Sequence, residues 1–392
     1  ITNHSYLDNP TFRGMRQSLM KTFDEIYILN LHGNSLKKET APDGSPDENV
    51  FDIRQGVAIS IFIKTDSKKM HSVFYQDLYG NRESKYAWLK ANEFSPFEYN
   101  QISPTNPFYF FIPTNVFQIR YYSNWPRITD IFPENVTGIV TARDNLAINF
   151  DKKTLLRNIE TFQNKNFTDD FVKEIFKLSE NYAWKIHSQR EEFQGVNDIE
   201  DYIKEILYRP FDKRYIFYQP NIVFRMRFDV MHHMLKENLA LLCKRQGKRK
   251  PYSYFFITDT ICESCVFESA FANNTVFPLY LYVDENKKDL YTPESEYKKP
   301  NIEAKIYNGL ENVYGRKLSP EDILNYIYGV FYSNIYRETY VEFLEYDFPR
   351  VPFTAESALF QQMAALGQRL INLHLLRSAE LEQPIARFEG QG

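Results

Sequence analysis

Residues 1–34, ITNHSYLDNPTFRGMRQSLMKTFDEIYILNLHGN, and residues 49–64, NVFDIRQGVAISIFIK, decide the reading of the fold. Asn9 before Pro10 marks a helix start, because Asn accepts a backbone N–H at the cap and Pro loses nothing at the first helical position. Phe12, Met15, Leu19 and Met20 then recur at near-helical spacing and predict one apolar stripe. Residues 25–31, EIYILNL, switch to a β-rich run. The polar stretch 37–49 reads as a loop, and residues 57–63 as a second strong strand. Strand, helix, strand, loop, strand is therefore expected over 1–64, with the last two strands as a sheet-edge hairpin. Ile1 is not an initiator methionine and ITNHSYL reads like the end of a buried strand, so the chain is expected to begin partway through a larger domain.

Composition bounds the rest. A chain of 392 residues that is 43% hydrophobic and 25% charged has room for two or three cored domains. It contains no run of about 18 apolar residues and no secretory pattern, so no membrane segment and a cytoplasmic location are expected. The three cysteines, Cys243, Cys262 and Cys265, agree with a reducing compartment. Cys262 and Cys265 form a C-x-x-C pair. Zinc would need two more ligands, for which His232 and His233 are the nearest candidates, and a redox pair would need a thioredoxin-like setting. Two reduced, partly buried thiols are the simpler reading, and no metal site is expected.

Beyond residue 92 the character shifts. Pro96, Pro104, Pro107, Pro113, Pro126 and Pro133 lie among aromatics, which forbids a long helix and predicts an extended connector over 93–150. Residues 137–145, TGIVTARDN, suggest short strands around a turn at Arg143 to Asn145. Leu155, Ile159 and Phe162, then Phe171, Ile175, Phe176 and Leu178, predict amphipathic helices within 151–206. Ser319, Pro320, Glu321 and Asp322 begin another helix, which ends by Pro349, and Thr354 is expected to cap a partner helix, giving a helical hairpin. Most of the 28 Tyr and 33 Phe fall in periodic runs such as ILNYIYGVFYSNIY and read as core rather than as stacking platforms.

The net charge of −4 is unlike that of an autonomous nucleic-acid binder, so any DNA surface must be a local patch. The run Lys244, Arg245, Gln246, Gly247, Lys248, Arg249, Lys250 places five cations in seven residues and is the strongest candidate for phosphate contact; the alternative is a solvated hairpin tip. Arg209 and Arg214 are DNA-contact candidates too, with Arg225 and Arg227 following. Arg209, Asp212 and Arg214 fit a buried ion-pair network equally well.

Five blocks carry a resemblance: residues 1–34 and 49–64, TGIVTARDN at 137–145, YRPFDKRYIFY at 208–218, and SPEDILNYIYGVFYSNIYRETYVEFLEYDFPRVPFT at 319–354. In this order they resemble the carboxy-terminal part of γ-class adenine-specific DNA methyltransferases of the Type ISP and Type IIG restriction-modification kind. The resemblance implies an α/β Rossmann-like methyltransferase tail over 1–92, then a mixed α+β target-recognition domain over 151–392, C-terminally incomplete. It implies double-stranded DNA as partner, with methyltransferase and nuclease or motor domains upstream in the same polypeptide. Phe51 matches the position where the family supplies an aromatic wall for the flipped adenine; a Phe that only anchors the loop is the alternative. The family's cofactor is S-adenosylmethionine, held against a Gly-rich turn, and its catalytic Asn/Asp-Pro-Pro-Tyr binds the amino group. Neither occurs here, so no catalytic residue and no bound cofactor are expected in this chain. Asn106-Pro107-Phe108-Tyr109 has Phe at the third position and reads as a linker turn. A noncatalytic DNA-specificity or protein-interaction module is the main alternative, and a degenerate methyltransferase acting on RNA or protein ranks below it.

Overall fold

The computed structural model describes all residues except 37–38, 66–70, 115–120, 248–250, 269–272, 284–296 and 384–392. The chain divides into two compact units, Ile1–Asn124 and Trp125–Gly392.

The first unit is a mixed sheet in the order β1-β3-β2-β4-β5, made of Thr2–Asn3 (β1), Glu25–Asn30 (β2), Val57–Ile63 (β3), Ser72–Asp77 (β4) and Asn100–Ile102 (β5). The pair β2/β4 is parallel and the other pairs are antiparallel. β2 and β3 do pair as expected from the sequence, Glu25 opposite Ile63, but not at the sheet edge: β2 lies centrally and β1 covers β3. The stretch Ile26–Asn30 is buried on both faces, which explains why EIYILNL reads as a continuous apolar run.

Asn9 accepts the Thr11 N–H and opens a 3₁₀ turn at Pro10–Phe12 that leads into the helix Arg13–Thr22. The expected stripe is only partly inward. Leu19 and Met20 pack on the core, whereas Phe12 and Met15 are exposed. The fully buried residue of that helix is Arg16, whose guanidinium donates to the carbonyls of Tyr6, Asn9 and Phe108 at 2.6–3.0 Å. A hydrophobic-period argument misses this, because the buried cation is satisfied by backbone oxygens of two distant segments.

The first compact unit runs past residue 92 to Asn124. The part of the 93–124 segment that is described packs on the first unit's sheet. β5 pairs with β4, Phe108, Phe110 and Phe111 are buried, and the Phe111 N–H donates to Leu7 O at 2.9 Å.

The second unit contains two four-stranded sheets. One runs β11-β10-β13-β6, from Phe255–Thr258 (β11), Ala240–Lys244 (β10), Asn274–Pro278 (β13) and Val136–Thr137 (β6). The other runs β12-β8-β9-β7, from Ile261–Cys262 (β12), Ile203–Arg209 (β8), Asp212–Phe217 (β9) and Ile148–Asn149 (β7). Its core joins Leu155, Ile159 and Phe162 of the helix Lys152–Gln163 to Phe193, Ile206, Ile216 and Phe217. In the helix Asp169–Ile175 the inward residue is Val172; Phe171 and Ile175, expected inside, are exposed.

The helical hairpin is present as Pro320–Tyr332 and Ser357–His374. Ser319 and Asp322 form a reciprocal capping box at its start. The second helix is preceded by Glu356 and not capped by Thr354; the Thr354 hydroxyl instead accepts the Glu356 N–H. Two glycines set the approach of the two helices: a Cβ on Gly367 would lie 1.8 Å from Asn325 O, and one on Gly329 2.7 Å from Met363 O. The buried tyrosines use their hydroxyls, Tyr326 to Pro352 O at 2.5 Å and Tyr332 to Phe255 O at 2.6 Å.

Candidate nucleic-acid interface

In the first unit, Phe51 sits half-exposed on the loop 47–56 at the rim of a cleft of about 800 Å³. The loop is fixed from beneath. Lys85 Nζ donates to Leu31 O at 2.7 Å and Glu48 O at 2.6 Å and pairs with Asp47 at 2.9 Å, neither side chain being exposed. Asp47 in turn accepts the N–H groups of Gly33 and Gly80 at 2.6 and 2.8 Å. Gly33 has φ 78° and lets Asn49 pass where a Cβ would be 2.4 Å from its Cα. Arg82 closes the top, with Nε on Asn49 O at 2.8 Å, Nη2 on Phe51 O at 3.0 Å and an ion pair to Asp52 at 2.8 Å. Backbone contacts therefore do the anchoring, and the Phe51 ring is left presented to solvent.

Below the cleft, His4, His32 and Glu39 bring nitrogen and carboxylate atoms within 4.8 Å of one another. Their bonding already accounts for them: His4 Nδ1 meets Asn30 Oδ1 at 3.0 Å, Asn34 donates to His4 Nε2 at 3.3 Å, His32 Nε2 meets Asp77 at 2.7 Å, and Glu39 accepts the Asn34 N–H at 2.8 Å. This is a polar network gathered where β2 and β4 end, at Asn30 and Asp77.

In the second unit, residues 137–145 act as a hub. A Cβ on Gly138 would lie 2.3 Å from Glu263 O, so only glycine lets the two segments touch. Ile139 N donates to Cys262 O and receives the Ser264 N–H at its own carbonyl, at 2.9 and 2.8 Å. Val140 and Arg225 exchange both backbone bonds, at 3.1 and 2.9 Å. The Thr141 hydroxyl bonds Asp144, whose second oxygen accepts the Tyr208 hydroxyl at 2.8 Å. Arg143 is buried over the Trp184 ring, 3.7 Å from its centroid, and donates to Ile222 O at 2.9 Å; burial lowers its pKa to about 10. Short strands flank the segment as expected, but the turn at Asp144–Ala147 is helical.

The hub carries Tyr208, and Tyr208 carries two cations. Arg214 lies between the rings of Tyr208 and Phe150, 3.9 and 4.0 Å from their centroids, and donates to Asp212 through Nε and Nη2 at 3.0 and 2.8 Å. Arg209 stacks on Tyr208 at 4.1 Å and pairs with Glu263 at 3.1 Å. Burial, with the bond to Asp144, raises the Tyr208 pKa, so the hydroxyl stays a donor at neutral pH. Of the network read from the sequence, Arg214 does pair with Asp212, but Arg209 pairs with Glu263 instead and is partly exposed; each guanidinium also retains N–H groups beyond those these pairs use.

The run beginning at Lys244 is not one exposed strip. β10 is central, between β11 and β13, and buried along its length, so its last residue faces inward too. Lys244 is fully buried, pairs with Glu268 at 3.2 Å and lies over the Tyr254 ring at 4.9 Å. A phosphate cannot reach it in this arrangement. Arg245 is exposed, 3.5 Å from Asp347, and Gln246 donates to Tyr346 O at 3.3 Å. Lys248, Arg249 and Lys250 lie outside the described residues.

The three cysteines are free. Burial pushes the Cys243 and Cys262 thiols well above the usual range, which leaves them inert. His233 Nδ1 accepts the Tyr282 N–H at 3.0 Å and His232 Nδ1 meets Phe228 O at 2.8 Å. Among the described residues neither histidine joins the C-x-x-C pair in a ligand set. No described helix is long and apolar enough to cross a membrane.

Sequence and fold comparisons agree on the class. The model of the Type ISP C-terminal specificity domain matches residues 130–392, well over half of the chain, and the chain belongs to that family. Its fold is similar to the ATP-dependent Type ISP restriction-modification enzyme LlaBIII bound to DNA, at 25% identity and TM-score 0.66 over 98% of this chain. It is also similar to a DrdV–DNA complex, at 23% and 0.63 over 95%, and to a nuclease-deletion mutant of the Type ISP enzyme LlaGI in complex with a DNA substrate mimic, at 24% and 0.59 over 95%. The chain spans 26%, 37% and 29% of those three chains respectively. No curated protein sequence matches it.

Proposed function

We propose that this chain is the sequence-reading region of a restriction-modification enzyme, which holds a specific duplex DNA site while a target adenine is methylated at its exocyclic N6 amine. Membership of the Type ISP specificity family carries the DNA-recognition part of this reading. The stacked arginines around Tyr208 give it a chemical basis, since the guanidinium N–H groups not spent on Asp212 and Glu263 suit phosphate contacts.

The first unit supports a methyltransferase tail. A parallel strand pair with antiparallel neighbours is a pattern such a sheet presents at one end. In this reading Phe51 offers its face to an extruded adenine, and the pinned loop beneath holds that face still. S-adenosylmethionine does not fit the residues present. The chain has no G-x-G turn after a strand, and Gly33 and Gly56 are occupied in admitting Asn49 and His4. In this reading the methyl-transfer machinery belongs to the upstream part of the proposed polypeptide, together with nuclease or motor domains.

An apolar cleft of about 390 Å³ lined by Met363, Leu366, Leu370 and Leu373 favours the alternative, a noncatalytic protein-interaction module. Binding of the chain to duplex DNA across a salt series, with random-sequence duplex as competitor, separates the two. A sequence-dependent, salt-sensitive affinity is expected. No binding even at low salt would favour the interaction module.

A further inference from the structure

The segment 218–228, QPNIVFRMRF preceded by Tyr218, projects two arginines and two phenylalanines that the core does not use. Phe224 and Phe228 are about half exposed, Arg225 is exposed, and Arg227 is half-buried. The backbone beneath them is held at several points. Phe224 N donates to Thr141 O, Arg225 exchanges both backbone bonds with Val140, and the Tyr218 hydroxyl donates to Met226 O at 2.7 Å. Buried Arg143 fixes Ile222 O, and Trp184 Nε1 fixes Asn221 O at 2.8 Å.

Arg227 has φ 57°, a left-handed conformation that is strained for a non-glycine residue and persists only where surroundings impose it. Here its carbonyl caps the helical turn that follows, accepting from Val230 and Met231. Its Nε is buried without an acceptor among the described residues. Arg209, Arg214 and Arg245 pair with carboxylates; neither Arg225 nor Arg227 does among the described residues, although Asp229 is two residues on. The Arg225 guanidinium lies over the Phe224 ring, 5.0 Å from its centroid.

We propose that this pinned loop is a duplex-DNA contact element in which Arg225 reads a guanine, presenting two N–H groups to O6 and N7 in the major groove. The inference rests on the DNA-recognition reading above. A base reader must be held in register, must keep its fork free of competing carboxylates and must stand clear of the surface. Arg225 is held through its backbone by Val140, is exposed, and pairs with no carboxylate among the described residues.

The test is selection of binding sites from a randomised duplex pool by the whole chain, with Arg225→Gln and Arg225→Lys alongside. Circular dichroism and thermal melting confirm folding of each, and Arg225 is exposed enough for both to fold. The wild type is expected to enrich a defined site. Arg225→Gln is expected to lose preference at one G·C position only, by roughly ten- to a hundredfold, with the rest of the site retained. An unchanged site in both variants would overturn the proposal and leave DNA recognition standing. So would a uniform loss across all sequences with a salt slope reduced by about one, which marks a phosphate contact. Failure of the wild type to enrich any site would overturn the DNA-recognition reading and this inference with it.

Discussion

Lys85 and Asp47 form an ion pair of 2.9 Å with neither side chain exposed, directly under the loop that presents Phe51. Both charges are compensated by backbone: Lys85 by two carbonyls, Asp47 by two glycine N–H groups. The pair thus converts a polar, glycine-flanked loop into a fixed platform. Replacing Lys85 with Met strands Asp47 and is expected to cost about 3–5 kcal/mol. Urea unfolding gives the loss, and amide exchange should speed up first at 47–56.

Phe51→Ala is expected to behave differently. The ring is exposed and the loop is held through its backbone, so stability should change by no more than about 0.5 kcal/mol. In an enzyme that contains this chain, a fluorescent base analogue at the target position should then show weaker extrusion. Unchanged extrusion would reduce Phe51 to a surface residue.

Lys244 and Arg245 adjoin in sequence and should separate in experiment. Lys244→Met removes the buried partner of Glu268 and is expected to destabilise by roughly 2–4 kcal/mol. Arg245→Gln should cost under about 0.5 kcal/mol, its ion pair being exposed on the arginine side. If Arg245 touches a phosphate, the salt slope of DNA binding falls by about one in that variant alone.

Gly367→Ala is expected to destabilise by roughly 1–3 kcal/mol, because the new methyl meets the Asn325 backbone and the helices must separate. Thermal unfolding is the measurement, with Gly309→Ala as control, since a Cβ there meets nothing within 4 Å.

His233 makes stability depend on pH. Burial, with lesser repulsion from His232, Lys299 and Lys236, lowers its pKa to about 4, below the unfolded value of about 6.5. Between those values the unfolded chain binds the proton and the native chain does not. The contribution is therefore complete above about pH 6.5 and is lost as pH falls toward 4, by on the order of 1–3 kcal/mol. Denaturant titrations at pH 7 and 5 should show the loss, and His233→Asn should abolish this component.

Local order was legible in the sequence where local chemistry sets it. Asn9-Pro10 and Ser319-Pro320-Glu321-Asp322 start their helices because caps act within one turn. EIYILNL and VAISIFI form strands because both are long apolar runs. The five family blocks pointed to the class that the specificity-domain match establishes. What only the tertiary structure decided concerns groups whose partners lie far along the chain. Arg16 is a core residue because Phe108, 92 positions on, brings it a carbonyl. Lys244 turns inward because β10 is central, and the strongest cation run by composition is thereby broken. The loop of exposed Arg225 is fixed because Val140, Trp184 and Arg143 bond its backbone. Residue type and spacing determine caps and periodicity, whereas whether a charge is spent on a neighbour or left for a ligand depends on which distant segments the fold brings within about 3 Å of it.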